Sequence, residues 1–390
     1  MEKLFIITQS DFDTYCLSLM QKEKIAIDTE FMRVKTYYPE FALLQLATDT
    51  EIAIVDPLKI QDWHLFKNVL DAPTVSKIFH AASEDLALFW HFFQTLPKPY
   101  IDTQVLCSFI KDGTSLGLAN ALKEFLDISI NKDQTRTDWL VRPLTDSQIS
   151  YAYNDVEYLL ALYEKIDKQL CDRKRHFALT ECTHLANKVT QEKNISKLYL
   201  QAPHVEKLNE GQLALLQTLT IWRYQEAIKR NLALNFIVHE KHLISLVEKL
   251  PDSLYELNKL GMHANEINHH GCTIIQLIEE YKTGAFKERK LPKVKLLHTN
   301  PRYKEDFAKI KFAFEKIASD ENLSAQLLGS RKQINQLLTL YYEKNANNDG
   351  DKYLPIAMGS EIISQIDILS NWRKDVCSFV LSEMGFISFN

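Results

Sequence analysis

Short apolar runs rich in β-branched residues are separated by polar turns over residues 24–80. Runs of roughly four to eight such residues, bounded by polar positions, are typical of strands buried in a sheet. The turn 48–50 is short enough to join two runs as a hairpin, which makes that pair antiparallel. The pattern predicts strands at 24–31, 41–48, 51–56 and 74–80.

Helical periodicity follows the last of these runs. Thr145 and Gln148 form a T-x-x-Q capping box, and an amphipathic helix is predicted from there toward Leu170. Ser83 is the expected N-cap of the first of three earlier helices. Helices packed on a mixed sheet make this an α/β region. The three earlier helices are predicted at 83–93, 102–110 and 116–126.

The second half of the chain has helix-length segments without strand alternation. Residues 231–246 align without gaps on residues 322–337. Asn231 and Asn322 are one of the identical pairs in this alignment. A repeat of this kind indicates a duplicated helical unit, so two small all-α bundles are predicted. The expected domains are 1–200, 208–290 and 291–390.

Charge is unevenly distributed along the chain. The net charge of −5 argues against a protein that coats nucleic acid with its whole surface. Residues 1–170 hold 16 Lys and Arg against 25 Asp and Glu, whereas residues 171–390 hold 30 against 26. An acidic front and a basic rear fit a metal-binding catalytic unit joined to a unit that binds a polyanion.

The sequence lacks the motifs of several protein classes. The six cysteines form no C-x-x-C pair, which argues against zinc or redox chemistry. Neither a P-loop nor a dinucleotide-binding glycine motif occurs, so no nucleotide cofactor is expected. No uncharged apolar run approaches the roughly 18 residues that span a membrane, and no basic leader precedes residue 20. We therefore expect a cytoplasmic protein without a membrane partner.

Four carboxylates and one phenol are the candidate chemical groups. Asp28 and Glu30 end a predicted strand two residues apart, so both project from one face. Asp85 lies in the first turn of a predicted helix, where the helix dipole favours an anion. Tyr151 and Asp155 are four residues apart on one helix face. Each feature alone is more typical of a solvated surface, but their joint order along the chain is not.

This order of motifs resembles the DEDD exonucleases of the tyrosine subclass, and the ribonuclease D family in particular. The similarity covers nearly the whole chain, and the repeated helical units resemble two HRDC domains. It implies a ribonuclease-H-like mixed sheet flanked by helices, and a 3′-to-5′ exoribonuclease that releases 5′-mononucleotides. The stretches that carry it are DTEFMRVKTYYPEFALLQLA, HAASEDL, IDTQ, RTDWLVRPLT and YAYNDVEYLL.

The resemblance also implies a role for each candidate residue. Tyr151 would orient the attacking water, since a phenol with a pKa of about 10 is a poor base at neutral pH. Two divalent cations per site, Mg²⁺ or Mn²⁺, would neutralise the acids and assist displacement at phosphorus. The implied metal-binding and catalytic acids are Asp28, Glu30, Asp85 and Asp155.

The expected substrate is the 3′ end of RNA, by resemblance that of tRNA precursors and other small structured RNAs. Arg33, Tyr37, Arg136 and Arg142 are the candidate substrate-binding residues of the catalytic half. Residues 281–311 hold ten Lys and Arg against three acids, which suits phosphate binding. Two alternatives stay open on these residues, a DNA 3′-to-5′ exonuclease and a non-catalytic nucleic-acid-binding module. A monomer is expected.

Overall fold

The computed structural model divides the chain into two compact units. The described residues are 1–111, 113–130, 137–286, 288–289, 291–348, 353–356 and 367–387, with backbone alone for 346–348 and 353–356. The first unit comprises Met1–Arg33, Pro39–Gln191 and Asn322–Leu327. The second unit comprises Val34–Tyr38, Glu192–Glu321 and Leu328–Asn390.

A six-stranded mixed sheet forms the centre of the first unit, in the order β1-β4-β3-β2-β5-β6. Its strands are β1 (Glu2–Ile6), β2 (Lys24–Met32), β3 (Glu40–Ala47), β4 (Glu51–Val55), β5 (Ser76–Phe79) and β6 (Tyr100–Asp102). The pairs β2–β3 and β3–β4 are antiparallel and the other three are parallel. The four predicted strands and the hairpin are confirmed. The two additional strands lie at the edges of the sheet, where a strand needs less apolar sequence.

Eight α-helices of the first unit accompany the sheet among its described residues. They are α1 (Gln9–Leu19), α2 (His64–Asp71), α3 (Ser83–Phe93), α4 (Thr103–Ser108), α5 (Leu118–Leu126), α6 (Asp146–Glu157), α7 (Leu159–Asp167) and α8 (Asp172–Val189). The capping box of Thr145 and Gln148 is present at the start of α6. The predicted helix toward Leu170 is interrupted at Tyr158, whose φ of −107° and ψ of 2° separate α6 from α7.

The N-cap prediction for α3 is wrong. Ser83 lies inside the helix, and Ala82 occupies the N-cap position without a side chain that can accept a hydrogen bond. The carboxylate of Asp102, at the end of β6, instead accepts from the N–H groups of Ala81 and Ala82, which precede the helix. A contact from a different strand cannot be identified from the sequence next to the helix, because packing brings the two segments together.

The core of the first unit explains why β3 reads as one apolar run. From Phe41 to Ala47 every residue of β3 is buried, because both faces of the strand are covered. An aromatic cluster adds to this core, with ring centroids of Phe66 and Phe93 5.8 Å apart and those of Phe89 and Phe93 5.7 Å apart. Burial of one side chain of this size stabilises the fold by roughly 1.5–3 kcal/mol, because its apolar surface leaves water. The cluster therefore holds the sheet and the helices together.

The second unit is helical apart from one pair of short parallel strands among its described residues. It includes α9 (Glu210–Arg230), α10 (Leu234–Ile237), α11 (Glu240–Lys249), α12 (Leu254–Lys259), α13 (Ala264–Lys282), β7 (Lys293–Leu296), α14 (Tyr303–Asp320), α16 (Arg331–Asn348), β8 (Tyr353–Ile356) and α17 (Asn371–Glu383). The short helix α15 (Ala325–Leu328) precedes α16.

The repeat found in the sequence is also present in the backbone. Asn231 and Asn322 both have positive φ, of 50° and 51°. The offset of 91 residues that relates them also relates the first residues of α10 and α15, and those of α11 and α16. Equal element starts at one fixed offset are what a duplicated structural unit produces. The prediction of helical units for this part of the chain is confirmed, whereas the strand pair β7–β8 was not predicted.

Two adjacent histidines followed by a glycine, His269-His270-Gly271, predict a polar turn from the sequence alone. The segment lies inside helix α13, so this prediction is wrong. Gly271 is needed there for close packing: a Cβ at this position would lie 2.6 Å from Cδ2 of Leu254 on α12. His270 is buried and His269 is exposed. The glycine that suggested a turn therefore serves helix-to-helix contact instead.

Candidate active site

Asp28 and Glu30 lie near the carboxyl end of β2 and are half-buried. Strand alternation puts their carboxylates on one side of the sheet, as predicted. One carboxylate oxygen from each lies within 4.8 Å of an oxygen of Asp155 on α6. The sheet and the helix that packs on it thus bring three of the four predicted acids together.

Helix α6 supplies Tyr151 and Asp155 to the site. Its capping box fixes the first turn, and the spacing of four residues puts the phenol next to the carboxylate. The Tyr151 hydroxyl donates a hydrogen bond to Asp155, which lowers the pKa of that carboxyl against the larger effect of burial. The ring of Trp139 packs 5.9 Å from that of Tyr151 and is itself buried. Tyr151 is therefore held from two sides.

Asp85 lies beside this group of three rather than within it. It occupies the first turn of α3, as predicted, and is 7% exposed. The hydroxyl of Thr29, between the two acids of β2, donates a hydrogen bond to its carboxylate. Its charge still acts on the group, because it raises the pKa of both Asp28 and Glu30.

The electrostatics of the site are those of crowded, poorly solvated acids. Burial is the main cause that raises the pKa of Glu30 to about 9, of Asp155 to about 7 and of Asp85 to about 6. Burial and the charges of the three other acids hold the pKa of Asp28 well above its usual range. None of the four pairs with a lysine or arginine in the part of the chain that the structure describes. Like charges at this spacing oppose ionisation unless a cation neutralises them.

This set of donors fits a divalent cation. Carboxylate oxygens are the ligands that Mg²⁺ and Mn²⁺ prefer, and the three converging oxygens come from rigid elements. A cation would also offset the burial that raises the four pKa values and, at Asp28 and Glu30, the repulsion from the neighbouring acids. Asp28, Glu30 and Asp155 are the residues that could hold it directly, with Asp85 adjacent.

Of the predicted substrate-binding residues, Arg33 is exposed and Arg142 is engaged by the protein. The Arg33 guanidinium lies 3.4 Å from the Glu84 carboxylate in an exposed ion pair of small energy. Arg142 donates from Nε and Nη2 to both oxygens of buried Asp56, each at 2.8 Å, and from Nη2 to the Ala42 carbonyl at 2.7 Å. The role of each arginine toward RNA stays a prediction.

The two other predicted contacts differ in what is known of them. Tyr37 belongs to the second unit, where its hydroxyl and that of Tyr224 are 2.9 Å apart and the rings are perpendicular. Arg136 lies outside the described residues. The substrate roles of Tyr37 and Arg136 therefore also stay predictions.

Sequence reasoning missed three residues around the acids. Thr29 bonds Asp85, and Asp102 bonds the amides that precede α3. Gln45 is fully buried opposite Asp28 in the sheet register, and its amide has no hydrogen-bond partner among the described residues. A lone glutamine in an otherwise apolar run was the available signal for Gln45. The other two lie next to residues already singled out, but nothing local indicates their partners.

Comparison with known proteins follows the same division of the chain. A 3′-5′ exonuclease family model matches residues 4–171, an HRDC domain model matches residues 212–278, and a model of the ribonuclease D C-terminal HRDC domain matches residues 301–379. Ribonuclease D of Escherichia coli (strain K12) is 36% identical over 381 residues, which cover 97% of both chains. Ribonuclease D of Haemophilus influenzae is 35% identical and covers 93% of this chain and 87% of its own.

Solved structures agree with these matches. The crystal structure of Escherichia coli RNase D, described as an exoribonuclease involved in structured RNA processing, has a TM-score of 0.87 and 34% identity and covers 98% of both chains. The catalytic core of RRP6 from Trypanosoma brucei has a TM-score of 0.62 at 24% identity, which is evidence for the fold alone.

The exonuclease match and the two helical matches define the class, a 3′-to-5′ exonuclease that carries HRDC domains. Relatives at 36% and 34% identity cover 97% of the chain, so the protein belongs to the ribonuclease D family and is a 3′-to-5′ exoribonuclease. The predicted family, fold class and 3′-to-5′ exoribonuclease activity are confirmed. The fold implies divalent metal ions, and the domain boundaries stay a prediction. Among the described residues, no helix combines the length and apolarity needed to cross a membrane.

Proposed function

We propose that this exoribonuclease trims the 3′ ends of tRNA precursors and other small structured RNAs with two divalent cations, Mg²⁺ or Mn²⁺, and releases 5′-mononucleotides. The observation that carries the proposal is the group formed by Asp28, Glu30 and Asp155, whose oxygens lie within 4.8 Å of one another. Acids crowded in this way lower the stability of the folded protein unless a bound cation offsets their charge. We further propose that the protein acts as a monomer in the cytoplasm.

The four acids and Tyr151 would divide the work at the scissile phosphate. Asp28, Glu30 and Asp155 would hold the cations, and Asp85 would complete the negative charge beside them. Bound divalent cations supply Lewis-acid polarisation of the phosphate and a nucleophilic water at neutral pH. The rigid strand and helix fix the carboxylates before substrate arrives, which removes the cost of assembling them during the reaction.

Tyr151 would orient the attacking water rather than remove its proton. Its hydroxyl donates to Asp155, so the oxygen lone pairs remain available to accept a hydrogen bond from water. Trp139 fixes the ring on its other side at 5.9 Å. Loss of this hydroxyl should therefore weaken the chemical step more than RNA binding.

The basic segment 281–311 would bind RNA phosphates away from the reacting end. On β7, Lys293 and Lys295 are exposed while Val294 between them is buried, so both lysines face solvent. Lys304 is exposed on α14. Three further cations of the segment form ion pairs with acids, as Lys309 does with Glu305 at 2.5 Å. Lys287 and Lys290 lie outside the described residues.

Digestion of an RNA oligonucleotide labelled at its 5′ end tests the proposed chemistry. A ladder that shortens from the 3′ end with Mg²⁺ or Mn²⁺, stops with EDTA and is impeded by a 3′-phosphate is expected. Asp155→Asn should abolish it, whereas Asp146→Asn, an exposed acid of the same helix, should not. Products that are nucleoside 3′-phosphates, or metal-independent cleavage, would contradict the proposal. A DNA oligonucleotide of equal sequence measures the preference for RNA.

The proposed substrate is tested with a tRNA-sized RNA that carries a single-stranded 3′ extension. The double variant Lys293→Glu and Lys304→Glu should weaken its binding and reduce the salt dependence of the affinity, because phosphate contacts release counterions. Lys249→Glu, an exposed lysine of α11, makes one of these charge changes outside the segment and serves as control. Equal affinity of all three proteins would remove the segment from the proposal.

A further inference from the structure

Asp102, at the end of β6, is a buried carboxylate that makes four hydrogen bonds. It accepts from the backbone N–H groups of Ala81 at 2.9 Å, Ala82 at 3.0 Å and Gln104 at 2.8 Å. It also accepts from the hydroxyl of Tyr100 at 3.0 Å. Asp102 is 4% exposed, so these donors take the place of water. The carboxylate therefore joins two segments, the start of α4 and the turn before α3.

The turn before α3 depends on this carboxylate for its conformation. Ala81 has a φ of 63°, in the left-handed region that residues with a Cβ rarely adopt. Ala82 is the N-cap of α3 but has no side chain that can accept from the helix. Two of the three N–H groups that Asp102 binds belong to these two residues. A strained turn with no acceptor of its own is thus held by a side chain from another strand.

Asp85 lies within one turn of α3 from Ala81 and Ala82. It lies three residues after Ala82, and backbone bonds from Ser83 to Ala81 and from Leu86 to Ala82 make the connection rigid. On its other side Asp85 accepts from Thr29 on β2. A displacement of the turn would therefore move the carboxylate of Asp85 relative to Asp28 and Glu30.

We propose that Asp102 is a positioning residue, which sets the place of Asp85 in the acidic site by fixing the turn at Ala81 and Ala82. It touches neither the RNA nor the reacting atoms. The inference rests on the proposed metal-dependent function. A residue that orients a ligand from behind typically affects metal affinity or activity by about 10–100-fold.

Two substitutions distinguish the positioning of Asp85 from a role of Asp102 in capping α4 alone. Asp102→Ser keeps a good N-cap for α4, because a serine hydroxyl can still accept from Gln104, but it is too short to reach Ala81 and Ala82. Asp102→Asn keeps one acceptor oxygen and the size of the side chain, so part of the clamp should survive. The expected order of function is wild type, then asparagine, then serine.

The measurement is titration of the full-length protein with Mn²⁺ in the absence of RNA, by calorimetry. We expect Asp102→Ser to bind Mn²⁺ about 10–100-fold more weakly and Asp102→Asn to lie between it and wild type. The kcat for a short RNA oligonucleotide should fall in the same order, while KM for the RNA changes little. Wild-type Mn²⁺ affinity and kcat in Asp102→Ser would overturn the proposal.

Val69→Ala controls for general loss of stability. Val69 is fully buried in α2 and forms no part of the acidic site, so this variant should melt earlier but bind Mn²⁺ as the wild type does. If Asp102→Ser does not fold, Asp102→Asn is tested against Val69→Ala in the same way. Absence of Mn²⁺ binding by the wild-type protein itself would instead refute the proposed function. The two failures are therefore distinguishable.

Discussion

Each unit of the chain contains a group of polar residues with acids in it, and the acids of the two groups have opposite kinds of neighbours. In the helical unit, Asp306 is fully buried on α14 and accepts a hydrogen bond from the hydroxyl of Tyr342 at 2.8 Å. Arg302 lies 3.4 Å from its other oxygen. In the sheet unit, Asp28 and Glu30 face further acids, and no lysine or arginine of the described residues forms an ion pair with them.

The difference separates an acid that serves structure from acids that serve chemistry. Asp306 is neutralised by partners of its own chain, so its burial costs little. The acids of the sheet unit retain mutual repulsion and raised pKa values, which a folded protein tolerates where another component supplies the positive charge. The same residue type thus has a different function because of its neighbours.

The largest effect is expected from removing one charge in each group. Asp28→Asn should lower kcat by at least about 10²–10³-fold, since loss of metal-assisted stabilisation costs several kcal/mol and each 1.4 kcal/mol is tenfold. Asp306→Asn should instead lower the free energy of unfolding by about 1.5–3 kcal/mol and leave kcat on short RNA unchanged. Single-turnover rates and urea unfolding measure the two. Wild-type activity of Asp28→Asn would contradict the conclusion that the acids of the sheet unit serve chemistry while Asp306 serves structure.

Removal of the Tyr151 hydroxyl should have the next largest effect. Tyr151→Phe loses the hydrogen bond to Asp155, and we expect kcat to fall about 10–100-fold with KM nearly constant. Tyr153→Phe, on the same helix, loses a hydroxyl that bonds the Leu4 carbonyl at 3.0 Å and serves as control. A rise in KM with unchanged kcat would assign Tyr151 to RNA binding.

Substitution of Arg142 tests whether this predicted substrate-binding residue instead serves structure through its ion pair with Asp56. Arg142→Ala leaves buried Asp56 without its bidentate partner, and the free energy of unfolding should drop by about 3 kcal/mol. If Arg142 serves structure alone, KM for RNA should stay within about twofold, because the guanidinium donors bind the protein. Chemical denaturation and steady-state kinetics check both values. A large increase in KM with intact stability would restore the substrate role.

The smallest effect is expected in the pH dependence of stability without metal. In the folded protein, burial raises the pKa of Glu30 to about 9 and that of Asp155 to about 7. Below their unfolded pKa values of about 4, both groups are protonated in the folded and the unfolded protein, so these shifts do not lower the free energy of unfolding there. As pH rises from about 4 to about 9 the unfolded chain ionises first, and stability falls. The Tm of EDTA-treated protein should therefore decrease from pH 5.5 to 8.5.

Excess Mn²⁺ should flatten that decrease, because the cation favours the ionised acids. Glu30→Gln is the matched variant, since it keeps the side chain's size and removes one raised pKa. Its metal-free Tm should change less with pH than that of the wild type. A wild-type Tm that is constant or rises across this range without metal would contradict the idea that the acids repel one another.

The sequence by itself determined the features that depend on residues a few positions apart. Strand alternation put Asp28 and Glu30 on one face, and the capping box fixed the start of α6. The spacing of four residues joined Tyr151 to Asp155. These could be predicted because the partners lie within one strand or one helical turn.

Only the tertiary structure decided the partners that lie far apart in the chain. Arg142 binds Asp56 across 86 residues, and the turn before α3 is held by Asp102, while Ser83 is not the N-cap of that helix. Gln45 lies against Asp28 because of the register between two strands. Local sequence specifies which groups need a partner, but the packing of sheet and helices specifies which partner is within reach, since many residues of suitable chemistry are available.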